Sequence, residues 1–86
     1  MFDKAKYVIV DGSVIVFTPA LEHSSMVPYG RKCTSAGFVT FYKDVDSWGD
    51  EVIKAKAFGK SISLGIESNP EKDSEMISFQ ICGRYL

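Results

Sequence analysis

The sequence predicts an α+β fold, a mostly antiparallel sheet of about five strands with a C-terminal helix packed on one face. Three observations predict it. Asp11-Gly12 stands between Tyr7-Val8-Ile9-Val10 and Val14-Ile15-Val16-Phe17, and two β-branched, aromatic runs around an Asp-Gly pair are a strong hairpin signal. Two later segments alternate polar and apolar residues with period two. Near the end, Asn69-Pro70 opens the one extended helical pattern. The element order is β-β-short α-β-β-β-α.

The first two strands are expected near 6–10 and 13–18, because Asp and Gly tolerate the positive φ angles of a two-residue turn. Thr18 and Pro19 then suit a helix cap and a first helical position. Pro28 disfavours helical geometry at Val27, which leaves room for about two turns at most. Tyr29 to Thr34 is a polar loop. Ser35-Ala36-Gly37-Phe38-Val39-Thr40-Phe41-Tyr42 is rich in β formers, and its glycine marks a bulge or a close backbone approach.

A turn over Asp44 to Asp50 leads into Glu51-Val52-Ile53-Lys54-Ala55-Lys56-Ala57-Phe58. Its Ile53-Ala55-Ala57 face is small enough to admit a helix. Lys54 and Lys56 point the other way. Ser61 to Ser68 alternates with Ile62, Leu64 and Ile66 on one side, as a half-buried strand does. In the final helix Asn69 caps and Pro70 takes the first position. Glu71, Asp73 and Glu75 put negative charge where the helix dipole favours it. Ile77 and Ile81 form its apolar stripe, Phe79 and Cys82 lie off it, and Gly83 ends it. A helix-covered sheet closes this set of elements, and a small, strongly curved half-barrel is the alternative.

Length and composition bound the rest. Eighty-six residues, 1–86, suit one domain with one modest core. A 45% hydrophobic content favours a folded globule. The mean hydropathy of zero and the lack of a long apolar run exclude a membrane-spanning helix. Charges interrupt Met1 to Lys6, which is not a signal peptide, so a cytoplasmic location is expected. In a reducing compartment Cys33 and Cys82 are expected as free thiols. The net charge of −1 provides no global attraction to nucleic acid or an anionic membrane.

Gly59-Lys60-Ser61-Ile62-Ser63-Leu64-Gly65 followed by Ser68-Asn69-Pro70-Glu71 resembles a C-terminal signature of a family of small bacterial proteins. In that pattern a Gly-x-Ser-x-Ser-Leu-Gly strand precedes Ser-x-Pro-Glu and a helix. Val16-Phe17 with His23 beyond it, and Ser35-Ala36-Gly37-Phe38, resemble the same family. Some members occur in mobile elements such as integron cassettes. The resemblance implies one compact α+β domain and brings no activity with it.

Candidate chemistry is sparse. His23 is the one histidine, beside Glu22, Ser24 and Ser25, and a general-base role needs geometry the sequence lacks. Cys33 follows Arg31 and Lys32, whose charge favours a thiolate. His23, Ser24, Arg31 and Cys33 are therefore the candidate ligand-binding set, and a His23–Cys33 hydrolase is the second function class. Asp44-Val45-Asp46-Ser47-Trp48-Gly49-Asp50-Glu51 resembles a calcium loop, but position twelve is Ala55, so a wet turn is the better fit. No residue set implies a metal or a cofactor.

Basic residues at Lys4, Lys6, Arg31, Lys32, Lys54, Lys56 and Lys60, with Tyr7, Tyr29 and Tyr42 among them, allow a third class, a weak single-strand nucleic-acid binder. The net charge and the missing RNP-type motif count against it. The favoured expectation is a non-enzymatic binding or interaction module that self-associates as a homodimer. Trp48 in a polar turn, Phe79 off the helix stripe and the apolar end at Tyr85 are its candidate interface. A further partner, protein or small molecule, is left open.

Overall fold

The computed structural model describes residues 4–82. Strands β1 (Ala5–Val10), β2 (Ser13–Phe17), β3 (Cys33–Val45) and β4 (Glu51–Phe58) form one antiparallel sheet in the order β2-β1-β3-β4. A second, two-stranded sheet pairs β5 (Lys60–Ser61) with β6 (Ile66–Glu67). Helix α1 (Pro70–Ile77) continues into a π-helical turn, Ser78–Cys82, and a 3-10 turn occupies His23–Met26. The α+β class and the C-terminal helix on the sheet are as the sequence predicts.

The first hairpin closes where Asp11-Gly12 predicts, with Val10 opposite Ser13. Asp11 has φ 50° and Gly12 φ 81°, the paired positive angles of a type I′ turn. A side chain at Gly12 meets nothing within 4 Å, so only the backbone resists substitution there. Gly12→Val is expected to cost about 1–2 kcal/mol, the penalty of a left-handed conformation, read as a lower urea midpoint. Gly12→Asn is expected to stay near wild type, and an unshifted midpoint for Gly12→Val overturns the turn assignment.

Tyr7-Val8-Ile9-Val10 is buried throughout because both faces of the sheet are covered. Tyr7 and Ile9 join Val39, Ala55, Ala57 and Ile77 under α1. Val8 and Val10 join Phe17 and Ala36 on the opposite face, with Leu64 and Ile66 packed on them. The sequence predicts a helix on one face and is silent about the second layer.

That second layer explains where the alternation of Ser61 to Ser68 misleads. The segment is not one strand. It folds back on itself between β5 and β6, and Gly65 has φ 66°. Ser61 Oγ accepts the Leu64 N–H at 3.1 Å, which holds the turn. Leu64 and Ile66 point inward, whereas Ile62 is 88% exposed. Side-chain bonding to nearby backbone competes here with the strand ladder.

Gly37 marks a close approach. A Cβ there would lie 2.5 Å from the Phe58 carbonyl oxygen. Helix α1 lies along the outer edge of β4. Ser74 Oγ accepts the Ala57 N–H at 2.8 Å, and Ser78 Oγ accepts the Ala55 N–H at 2.9 Å. The spacings match: four helical residues rise about 6.0 Å, and two strand residues about 6.8 Å. Beyond Ser78, the Gln80 side chain accepts the Val14 N–H and donates to the Gly12 carbonyl. One helical segment thus holds both outer strands, which means that the sheet curls around it.

Asp73 is 1% exposed. Its carboxylate accepts the Tyr7 hydroxyl at 2.5 Å and the Asn69 N–H at 2.9 Å. It therefore does more than complement the helix dipole. It ties the start of α1 to the middle of β1.

Candidate functional site

The acidic turn between β3 and β4 is built by Asp46. Its Oδ1 accepts the N–H groups of Trp48 and Asp50, both at 2.9 Å, and Gly49 takes φ 85°. The carboxylate is spent on its own turn, as Asp commonly is. This geometry pushes Trp48 outward, to 85% exposure. The π-helical turn carries Phe79, which is 80% exposed. Both side chains line one concavity of about 760 Å³, with Val52, Ile53 and Cys82 between them. Asp50, Glu51 and Lys54 form its charged rim. The structure therefore unites Trp48 and Phe79, two of the three residues that the sequence nominates as an interface. Tyr85, the third, and Gly83 lie outside the described residues.

The other nominated residues do not assemble. His23 is 3% exposed, and its Nε2 lies 2.7 Å from the Gly37 carbonyl oxygen, to which it donates. Phe17 and Phe38 meet its ring edge-on, with centroids 5.5 and 5.8 Å away. His23 is thus a packed, hydrogen-bonded residue. It touches a second concavity of about 770 Å³, together with Ser24, Lys6, Lys60 and Ser63. Ser24 is there because its N–H donates to Ser63 Oγ at 3.2 Å.

Cys33 and Arg31 are not in that concavity's lining. Arg31 is paired with Asp11 at the hairpin turn. The Cys33 thiol donates to the Ser35 carbonyl at 3.2 Å, and burial pushes its pKa up. The expected thiolate is corrected accordingly: desolvation outweighs the basic neighbours, because Arg31 is engaged elsewhere. Cys82 is shifted upward by burial as well, and both cysteines are free and half-buried.

The basic, aromatic sheet face is also redistributed. Tyr7 is fully buried, and burial with the Asp73 hydrogen bond raises its pKa steeply. Lys4 lies over the Phe38 ring at 4.7 Å, Lys6 donates to the Leu21 carbonyl, and Lys54 meets Asp44 at 3.1 Å. These cations have separate local partners and do not form a stripe with Tyr7.

Among the described residues no helix is long and apolar enough to cross a membrane. No family model matches the chain, and no curated protein or solved structure is significantly similar to it.

Proposed function

We propose that this protein is a non-enzymatic interaction module that works by self-association, with the Trp48–Phe79 groove as its contact surface. One observation carries the proposal: two large, exposed aromatic side chains line the same apolar concavity. A single exposed aromatic needs no explanation. Two on one concave apolar surface with a charged rim have the anatomy of an anchor site.

Self-association suits this surface because it offers protrusions and a recess on the same patch. A two-fold interface requires such self-complementarity. The size of the chain supports it too, since a domain this small gains stability by burying surface against a copy.

Light scattering and sedimentation at micromolar concentration test the proposal. A dimer mass is expected. Phe79→Glu is expected to weaken the dimer about thirtyfold, equivalent to about 2 kcal/mol for a lost aromatic anchor. Phe79 is largely exposed, so the folded monomer is expected to keep its circular dichroism. A monomer mass at every concentration, unaltered by Phe79→Glu, removes the proposal.

A further inference from the structure

The floor of the Trp48–Phe79 groove is a strand edge, and its hydrogen-bonding pattern follows from the ladder. Ala55 and Ala57 donate their N–H groups to Ser78 and Ser74, away from β3. The register of β3 and β4 runs without a shift from Phe38–Phe58 to Val45–Glu51. In an antiparallel ladder, residues two apart point their backbone groups the same way. Ile53 and Glu51 therefore also direct N–H and C=O outward. The turn has the matching parity, since the Asp46 N–H donates to the Asp50 carbonyl at 2.9 Å. α1 covers the edge at 57, and the π-helical turn covers it at 55. At 51 and 53 the outward N–H groups have no partner among the described residues.

We infer that this edge accepts an extended strand, and that the strand is β4 of a second copy, paired antiparallel about a two-fold axis at Val52. This rests on the self-association proposed above and specifies how it occurs. An unpaired edge is a template for strand addition, and a groove beside it lends side-chain contacts. Charge selects the occupant. β4 and its approach are acidic at one end, Asp50 and Glu51, and basic at the other, Lys54 and Lys56. An antiparallel copy centred on Val52 sets Asp50 opposite Lys54, twice over, so that each Lys54 lies between its own Asp44 and the second copy's Asp50. A parallel copy sets like charges side by side, which is destabilising.

The register is dictated by the outward groups. Glu51 and Ile53 exchange N–H···O bonds with Ile53 and Glu51 of the second copy. Val52 then faces Val52 in a pair without hydrogen bonds, Cα atoms about 4.5 Å apart. Pairing stops at Ala55, whose N–H belongs to Ser78. Two four-stranded sheets join into one continuous sheet. The opposite edge, β2, has its Val14 N–H taken by Gln80 and no comparable charge gradient.

Cross-linking tests the register. With Cys33 and Cys82 replaced by Ala, Val52→Cys is expected to give a disulfide dimer on mild oxidation, since that Cα separation suits a disulfide. Lys56→Cys, four positions off the axis, is expected to give at least tenfold less. With the native cysteines in place, Asp50→Lys is expected to weaken the dimer at least tenfold, and adding Lys54→Asp together with Asp44→Lys, which keeps the Asp44–Lys54 pair in reverse, to restore it. Equal cross-linking at 52 and 56, or a dimer indifferent to Asp50→Lys, overturns the inference. If Phe79→Glu still dissociates that dimer, the groove stands and only the strand pairing falls. A monomer in all assays removes both.

Discussion

Asp73→Ala is expected to destabilise the protein by about 3–5 kcal/mol, because it leaves two hydrogen-bond donors without their acceptor at about 1–3 kcal/mol each and removes the charged member of the pair. The Tyr7 hydroxyl is stranded in the core, and the Asn69 N–H loses its partner at the start of α1. In a domain of this size the melting temperature falls by about 4–8 °C per kcal/mol, so a drop of at least about 12 °C is expected. Asp73→Asn keeps an acceptor oxygen and is expected to recover part of the loss. Tyr7→Phe removes one donor and is expected to cost about 1.5–3 kcal/mol, as for other bonds to charged groups.

Tyr7 adds a pH signature with a definite sign. Its folded-state pKa is raised, by burial first and the Asp73 bond second. The unfolded tyrosine ionises near pH 10. The folded state holds this proton more tightly, so the contribution is complete below about pH 10 and is lost as the pH rises above it. Wild-type stability is expected to fall more steeply with alkali than that of Tyr7→Phe. Parallel alkaline slopes, or a wild-type melting temperature for Asp73→Ala, overturn this account of the latch.

Gly37→Ala is expected to be the next most damaging single substitution, at about 2–4 kcal/mol, the cost of overpacking together with a weakened hydrogen bond. The added Cβ meets the Phe58 carbonyl oxygen at 2.5 Å and Ser68 Cβ at 3.2 Å. The first is backbone and cannot swing aside. Relief requires β3 and β4 to part, which also displaces the Gly37 carbonyl that receives the His23 N–H. A matched substitution at Gly12, Gly12→Ala, meets no atom within 4 Å and strains only φ, so it is expected to cost about 1 kcal/mol. Equal denaturation midpoints for the two variants show that the contact at Gly37 is not tight.

What could be read from the sequence was local. Asp11-Gly12 announces its turn because the signal and the structure involve the same four residues. The Ile53-Ala55-Ala57 face announces a close helix because small side chains leave room. The Tyr7–Asp73 bond has no such signal, since it joins residues 66 apart, and a carboxylate in an early helical turn already has an ordinary explanation. The Ser61–Ser68 segment shows the reverse failure. Its alternation fits a strand, but three serines and Gly65 offer local bonds that a period count ignores. The aromatic pair at the candidate site was visible one residue at a time. Only the fold shows that Trp48 and Phe79 share a groove.

The Ser74, Ser78 and Gln80 bonds have a consequence for the order of assembly. These three side chains hold both outer strands, yet they come after every strand in the chain. On a ribosome the strands emerge first and wait, unclasped, until residue 80 is clear of the exit tunnel. Closure is therefore a late, long-range event, of the kind that slows folding. During that interval the whole edge of β4, and not just positions 51 and 53, is open to a neighbouring chain. The clasp of the C-terminal helical segment serves as a timer on that exposure, and positions 51 and 53 are the part of the edge that it leaves uncovered among the described residues.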